Sequence, residues 1–146
     1  MSLTEDQRSS LIDVCCAAKE NAYAPYSKFR VGCGLLASDG QVFSGCNVEN
    51  ASYGGTVCAE RVAILKAVSE GVTKFTAIAI TCDITDSFVY PCGLCRQVIV
   101  EFAPDIPVFL VKPDKTYKME TMLELLPGAF TPVVLNAYTD SQSKSD

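Results

Sequence analysis

Two short segments hold most of the residues in this chain that are equipped for chemistry. The first contains Cys58, Glu60 and Arg61, and the second contains Cys92 and Cys95. Each segment opens an apolar run with helical spacing, so each places its thiols at the start of a helix. Helix starts offer free N–H groups and the positive end of the helix dipole, which favour thiolates. The spacing therefore predicts that three thiolates hold one zinc ion.

The number of ligands decides what such a zinc ion would do. Three protein ligands leave one tetrahedral position open, as in catalytic sites, whereas structural sites close all four positions. The pair of Cys92 and Cys95 alone would equally fit an iron–sulfur cluster or a redox dithiol. A structural zinc stays open as an alternative, since a fourth thiolate could come from Cys33, Cys46 or Cys82. The three-ligand count favours the catalytic interpretation.

Two charged residues beside Cys58 have a chemical reason to be there. Glu60 lies in the same first helical turn, so it can stand beside the open metal position and move protons without being a ligand. Arg61 follows Cys58 by three residues and shares its face of the helix. Three thiolates make a zinc site net negative, and a guanidinium that donates to sulfur would restore the acidity of the metal. A surface ion pair is the alternative for Arg61.

Composition limits the function further. The 146 residues are 49% hydrophobic and 20% charged, which predicts one globular domain over 1–146. There is no histidine, so catalytic schemes that need one are excluded. The net charge is −5 and no basic cluster occurs, which argues against nucleic acid and against an anionic membrane surface as partners. A small ligand of little charge fits better.

The cysteine content indicates a reducing compartment. The chain has eight cysteines, and its first residues lack the basic and apolar stretches of a signal peptide. We therefore expect free thiols or a metal site, and a cytoplasmic protein without a membrane span. We expect the neighbouring Cys15 and Cys16 to be packing residues without a chemical role. The sensitivity of the five cysteines outside the three-thiol group to oxidation stays open.

Periodicity and turn signals predict an α/β domain. The predicted elements are, in order, a helix that begins after Thr4 and ends before Pro25, strands over 30–37 and 41–46, a helix over 58–70, a strand over 75–82, a helix over 92–102, strands over 106–111 and 116–119, and a short helix after Thr121. Alternation in the middle predicts parallel strands with helices on both faces of the sheet. The polar residues 139–146 are expected to form a mobile tail. Gly32 and Gly34 indicate either close approach of another backbone or a weakened edge strand.

The two cysteine segments match a known signature. Cys58-Ala59-Glu60 followed by Pro-Cys-Gly-Leu-Cys at 91–95 is the all-cysteine form of the zinc deaminase motif. Residues 24–32 (APYSKFRVG), residues 45–53 (GCNVENASY) and residues 124–127 (ELLP) before Phe130 extend the similarity over nearly the whole chain. On these motifs the chain resembles the cytidine deaminase family, specifically its small homotetrameric nucleoside deaminases.

The resemblance implies a fold and a reaction. The fold is a three-layer α/β/α sandwich around a five-stranded mixed sheet. The reaction is the hydrolytic deamination of cytidine and deoxycytidine to uridine and deoxyuridine, with release of ammonia, as part of pyrimidine salvage. One zinc per subunit is held by Cys58, Cys92 and Cys95. A zinc-bound hydroxide attacks C4 of the ring and Glu60 shuttles the protons.

The resemblance also implies substrate contacts and an assembly. The implied residues are Phe29 against the pyrimidine, Asn47 and Glu49 at the ribose hydroxyls, the Ala59 N–H at the base carbonyl, Phe130 from a neighbouring subunit, and Tyr53 at a subunit interface near a site. From position alone, the polar loop at 47–50 would equally read as a turn rich in Asx residues. The segment Gly54-Gly55-Thr56 departs from the family pattern and leaves the local loop shape open. Another aminopyrimidine substrate, such as a nucleoside antibiotic, and the choice between ribose and deoxyribose also stay open.

Overall fold

The computed structural model describes residues 3–143. Its elements are α1 (Glu5–Lys19), β1 (Val31–Ala37), β2 (Val42–Cys46), a 3-10 turn (Tyr53–Gly55), α2 (Ala59–Ser69), β3 (Phe75–Cys82), α3 (Gly93–Phe102), β4 (Pro107–Val111), β5 (Tyr117–Thr121), α4 (Met122–Leu125) and α5 (Pro132–Ser143). The five strands form one sheet in the order β2-β1-β3-β4-β5. The pair β3 and β4 is parallel and the other neighbouring strands are antiparallel, so the predicted mixed sheet is confirmed.

Helices cover both faces of the sheet. On one face, Leu11 and Cys15 of α1 pack against Ala77 and Ala79 of β3. On the other face, the side chains of α2, α3 and α4 pack against the alternate positions of the same strand, including Ile78. Because β3 is covered on both sides, its apolar run is unbroken, as the sequence indicates. The predicted α/β/α sandwich is confirmed.

The first helix approaches the sheet closely because β1 carries glycine where they meet. A Cβ atom at Gly32 would lie 2.2 Å from the carbonyl oxygen of Cys15, and one at Gly34 would lie 2.8 Å from that of Leu11. No real side chain tolerates such distances from backbone atoms. Strand β1 lies between β2 and β3 in the sheet, so the edge-strand interpretation of these glycines is wrong.

The ends of the chain differ from the sequence-based expectation. Helix α1 ends at Lys19, well before Pro25, because Tyr23 pairs with the strand-like segment at Asn47 and Glu49 through backbone hydrogen bonds of 2.9 and 2.8 Å. A helix that the sequence analysis did not predict, α5, begins with Pro132 at a position that suits proline and continues through Ser143, so it includes the first residues of the predicted mobile tail. Residues 144–146 of that tail lie outside the described residues, and its mobility stays a prediction. None of the helices within residues 3–143 is long and apolar enough to cross a membrane.

Candidate active site

The starts of α2 and α3 bring three thiols together. Cys58 is the N-cap residue of α2 and Cys92 is that of α3, and neither side chain caps its own helix. Cys95 lies in the first turn of α3 and is buried. The three sulfur atoms, here named the thiol cluster, all lie within 4.8 Å of one another, and those of Cys58 and Cys92 are 3.9 Å apart.

The thiol cluster fits a zinc ion. Zinc–sulfur bonds of about 2.3 Å in a tetrahedral site put two sulfurs about 3.8 Å apart, close to the separation between Cys58 and Cys92. Within residues 3–143, no further cysteine, aspartate or glutamate joins the cluster as a fourth ligand. Cys33, Cys46 and Cys82, which a closed structural site would need, lie on strands β1, β2 and β3. The donor set therefore leaves one position for a substrate or a water molecule.

The sheet sets the position of α2 through a glycine contact. A Cβ atom at Gly45 of β2 would lie 2.2 Å from the carbonyl oxygen of Ala59 and 2.6 Å from the amide nitrogen of Ala63. The helix backbone therefore rests directly on β2. Ala59 directly follows Cys58. The contact between Gly45 and Ala59 therefore sets the distance of the Cys58 thiol from the sheet.

Glu60 is a buried carboxyl group beside the thiol cluster. Only 4% of its surface is exposed. Burial raises the pKa of Glu60 to about 7, despite smaller lowering effects from its own backbone N–H, Cys95 and Arg61. A carboxyl group with such a pKa both accepts and donates protons near neutral pH. The structure thus places a buried carboxyl group beside the thiol cluster, and its role in proton transfer stays a prediction.

The guanidinium group of Arg61 contacts the thiol cluster at Cys58. Its Nη2 atom is 3.5 Å from the Cys58 sulfur and 3.4 Å from the Thr56 carbonyl oxygen. Hydrogen bonding with Cys95, helped by Arg61 and Cys92, lowers the pKa of the Cys58 thiol to about 5. A guanidinium in this position stabilises negative charge on sulfur.

A cavity of about 420 Å³ opens beside the thiol cluster. Five of the residues predicted to touch substrate or reacting atoms line it, namely Phe29, Asn47, Glu49, Ala59 and Glu60. The cavity runs from the thiols of Cys58 and Cys92 to the polar loop that follows β2. It is large enough for a ligand of nucleoside size.

Asn47 and Glu49 hold the loop that carries Phe29. The buried Asn47 accepts from the Val31 N–H at 2.9 Å and donates to the Phe29 carbonyl at 2.7 Å. The Glu49 carboxylate accepts from the backbone N–H and the hydroxyl of Ser27. The Ser27 hydroxyl bond is the main reason that the pKa of Glu49 lies below its usual range. Glu49 is therefore ionised at the cavity wall.

The comparisons with known proteins agree with this geometry. The family model described as the cytidine and deoxycytidylate deaminase zinc-binding region matches residues 5–111. The chain belongs to the cytidine deaminase family. It is 43% identical over 142 residues to a probable cytidine deaminase of Dictyostelium discoideum, which covers 97% of this chain and 96% of that protein. It is 52% identical over 115 residues to the cytidine deaminase of Sporosarcina psychrophila, covering 78% and 84% of the two chains.

A solved structure from the same family has the same fold. The crystal structure of cytidine deaminase from Burkholderia pseudomallei superposes with a TM-score of 0.79 at 46% identity, covering 84% of this chain and 98% of that one. The family and the fold inferred from the cysteine motifs are therefore confirmed.

Two residues that the resemblance assigns to this cytidine deaminase site do not line the cavity in a single chain. Phe130 has 58% of its surface exposed, and its carbonyl accepts from the Gln97 side chain at 2.8 Å. Tyr53 is 74% exposed, and its ring lies 5.6 Å from that of Tyr26. Both aromatic rings are thus presented at the surface.

Other residues of the cytidine deaminase cavity were not predicted from the sequence. Ser27, Thr56, Val89 and Tyr90 all line it. Ser27 belongs to the segment 24–32 that carries the resemblance, so a signal for it existed. Tyr90 directly precedes the second cysteine motif, but a loop residue carries no periodicity that would mark it.

The glycine-bearing segment before Cys58 has a defined shape in this chain. Tyr53–Gly55 forms a 3-10 turn that ends in a hydrogen bond from the Thr56 N–H to the Tyr53 carbonyl. The Thr56 hydroxyl accepts from the Asn50 N–H at 3.3 Å. The segment therefore closes onto the polar loop beside the cavity.

Proposed function

We propose that this protein is a zinc-dependent cytidine deaminase, which converts cytidine and deoxycytidine to uridine and deoxyuridine and releases ammonia. One observation carries the proposal above the others. A three-thiol cluster with an open position and a buried carboxyl group, Glu60, lie together at one end of a cavity whose other end is polar. Hydrolysis of an aminated ring needs a metal, a proton-transfer group and a fitted pocket.

The chain's own residues supply the proton chemistry. Cys58, Cys92 and Cys95 would hold a zinc ion, which when bound would supply an acidified water molecule as the nucleophile for C4 of the ring. Glu60 accepts the proton that this water loses and delivers it to N3. Glu60 would then carry the proton of the new C4 hydroxyl group to the amino nitrogen, and the C4–N bond would break to give the C4 carbonyl and ammonia. The pKa of about 7 lets Glu60 perform both transfers near neutral pH.

Residues along the cavity orient the substrate. Ala59 is the first residue of α2, so its N–H has no partner within the helix and can donate to the base carbonyl. Phe29 packs against the pyrimidine. Asn47 uses one amide hydrogen on the Phe29 carbonyl and keeps the other for a sugar hydroxyl. Glu49 accepts hydrogen bonds from the sugar hydroxyls.

The charge at the sugar end favours nucleosides over nucleotides. The matched family model covers both nucleoside and deoxycytidylate deaminases. An ionised Glu49 would repel a phosphate group placed next to the sugar. We therefore propose that cytidine and deoxycytidine are better substrates than their monophosphates.

The proposed assembly is a homotetramer in which neighbouring subunits complete each site. The exposed rings of Phe130 and Tyr53, and the exposed apolar residues Val133, Val134 and Leu135 on α5, support contacts between subunits. We place the protein in the cytoplasm and in pyrimidine salvage. The eight free thiols support a reducing compartment.

The test is the release of ammonia from cytidine by the zinc-loaded protein, compared with two variants of α2. Glu60→Gln removes the proton carrier, and we expect turnover to fall by about 10²–10⁴-fold at unchanged zinc content. Glu70→Gln changes an exposed carboxylate at the other end of the same helix and should leave turnover within twofold. A folded, zinc-loaded parent that does not turn over cytidine would exclude this substrate.

A further inference from the structure

The segment that leads into Cys92 is supported from outside the cavity. Cys92 is the most exposed member of the thiol cluster, whereas Cys95 is buried inside α3. Tyr90 and Pro91, the two residues before it, belong to no helix or strand. A metal ligand at the end of a loop needs other contacts to hold its sulfur in place, since its own helix begins only after it.

Tyr90 is tied to β5 through its hydroxyl group. The hydroxyl donates to Glu120 Oε1 at 3.1 Å and accepts from Lys118 Nζ at 3.0 Å. Lys118 and Glu120 form an ion pair of 2.6 Å, which closes the triangle. We name these three residues the Tyr90 anchor. Both hydrogen bonds join the Tyr90 hydroxyl to a charged side chain, and together they define where the ring lies.

A second set of contacts holds the same segment from the other side. Arg96 of α3 donates to the Pro91 carbonyl at 2.8 Å and to the Leu125 carbonyl at 2.7 Å. Its guanidinium carbon also lies 6.0 Å from the centre of the Tyr90 ring, at the outer limit of a cation–π contact. The residues that precede Cys92 are thus fixed by β5 on one side and by the end of α4 on the other.

Strand β5 is the edge strand of the sheet beyond β4, and none of its residues lines the cavity. Tyr90 lines the cavity and is only two residues from Cys92. The Tyr90 anchor therefore connects an element with no chemistry of its own to the most exposed metal ligand. If the contact served only to stabilise β5, it would have no reason to involve a loop that leads to a cysteine of the thiol cluster.

We propose that the Tyr90 anchor is a positioning device that sets the orientation of Cys92 at the metal. The anchor fixes the Tyr90 ring, the ring fixes the turn at Pro91, and the turn aims the Cys92 sulfur at the other two thiols. This inference rests on the zinc site of the proposed function, but not on cytidine being the substrate. Lys118 and Glu120 act through Tyr90 and touch neither metal nor substrate.

The test compares two matched tyrosines. Tyr90→Phe removes only the hydroxyl, and Tyr117→Phe does the same at a residue of β5 that is also 40% exposed. The Tyr117 ring packs 5.5 Å from that of Phe109 on the opposite face of the sheet, so it serves as the control. Lys118→Met removes the charged donor from the anchor, and Lys118→Arg restores a donor.

Two measurements read the metal site directly. In the cobalt(II)-substituted protein, we expect Tyr90→Phe and Lys118→Met to change the visible absorption bands that report ligand geometry. We also expect zinc to transfer to a chelator about tenfold faster than from the parent. Tyr117→Phe should match the parent, and Lys118→Arg should recover most of the parent behaviour. A lower kcat with little change in KM is expected in the two disrupted variants.

A loss of stability without any change at the metal site would contradict the proposal. If Tyr90→Phe and Lys118→Met keep the parent cobalt spectrum and chelation rate while only the melting temperature falls, the anchor is merely structural and the inference is wrong. Both measurements can be made without any substrate. An inactive parent with an altered Tyr90→Phe spectrum would therefore overturn the proposed reaction and leave the anchor supported.

Discussion

The side-chain amide of Asn47 is hydrogen bonded to the carbonyl of Phe29 at 2.7 Å and is buried behind it. Its oxygen is committed as well, because it accepts from the Val31 N–H at 2.9 Å. Asn47 therefore shapes the segment that carries the Phe29 ring, in addition to the sugar contact that we propose for it. One residue thus combines an observed contact in the cavity wall with a proposed contact to the substrate.

Asn47→Asp tests this double role. The substitution keeps the shape but replaces the donor to the Phe29 carbonyl with a carboxylate oxygen, which repels it. We expect the free energy of unfolding to fall by about 1–3 kcal/mol, because a part-buried carbonyl loses its partner. KM for cytidine should rise more than kcat falls. Urea unfolding and steady-state kinetics measure the two effects, with the exposed Asn21→Asp as the control. Unchanged stability would show that the Phe29 bond is dispensable.

Arg61→Gln separates the electronic role of the guanidinium from its contribution to stability. Without charge withdrawal from Cys58, the zinc site becomes more negative and a less effective acid. We expect kcat/KM to fall by about 10–100-fold at unchanged zinc content, and the acid limb of the pH–rate profile to move to higher pH. Stability should change little, because the substitution removes the long Nη2 contacts but also removes Arg61 Nε, which is buried without a hydrogen-bond partner among residues 3–143.

Metal analysis and pH–rate profiles of Arg61→Gln and Arg61→Lys provide the measurement. The lysine variant keeps the positive charge but lacks the planar guanidinium group. Its kcat/KM should therefore lie between that of the parent and that of Arg61→Gln. A glutamine variant with the parent profile would assign Arg61 to its 3.4 Å contact with the Thr56 carbonyl alone.

Local sequence signals account for the elements and for the chemical groups of the site. The strand predicted over 75–82 is observed as Phe75–Cys82, and the thiols at 58, 92 and 95 meet where two predicted helices begin. These features depend on periodicity, on turn residues and on ligand spacing. Each of these three signals can be read from a short stretch of sequence.

The contacts that support the site depend on distant pairs and were not predictable. Tyr90 meets residues of β5 that follow it by 28 and 30 positions, and no local pattern encodes that pairing. The end of α1 at Lys19 also involves a distant contact, because the chain that follows it pairs at Tyr23 with the segment at Asn47. Helix α5 was not predicted, and none of its residues is buried against the core.

Gly45→Ala tests whether β2 sets the position of α2. The new methyl group would meet the Ala59 carbonyl at 2.2 Å, and neither backbone can yield without moving the helix. We expect a loss of about 3 kcal/mol in the free energy of unfolding, at the upper end for overpacking. The zinc content should also decrease, because Cys58 moves with the helix.

Gly54→Ala is the matched control for that substitution. It lies on the loop before Cys58, and an added Cβ atom there meets nothing within 4 Å. Chemical unfolding and metal analysis should find this variant close to the parent. A Gly45→Ala protein with full stability and full zinc content would show that β2 and α2 adjust to each other freely.

Asp83 makes the stability of the protein depend on pH in acid. Its carboxylate accepts from Arg30 at 2.9 and 3.0 Å and from Lys19 at 2.7 Å, which ties the end of β3 to the start of β1 and to α1. Arg30 first, and then Lys19, lowers the pKa of Asp83 to about 2. In the unfolded chain an aspartate titrates at about 3.9. The ionised form is therefore favoured in the folded protein.

The sign of the pH effect follows from that difference. The stabilisation by Asp83 is fully present above about pH 4 and is lost as the pH falls towards 2, because the folded state must then take up the proton. Asp83→Asn should lower the free energy of unfolding at pH 7 by about 1 kcal/mol, a modest value because solvent screens a half-exposed ion pair. The gap between parent and variant should close as the pH falls from 4 to 2.

Urea unfolding of the parent and of Asp83→Asn between pH 7 and pH 2 measures this gap. Asp86→Asn, an exposed change in the same loop, should follow the parent curve throughout. A gap that stays constant with pH would mean that the variant loses packing or a neutral hydrogen bond. In that case the ion pairs of Arg30 and Lys19 with Asp83 would contribute nothing to holding the first strand beside the cavity.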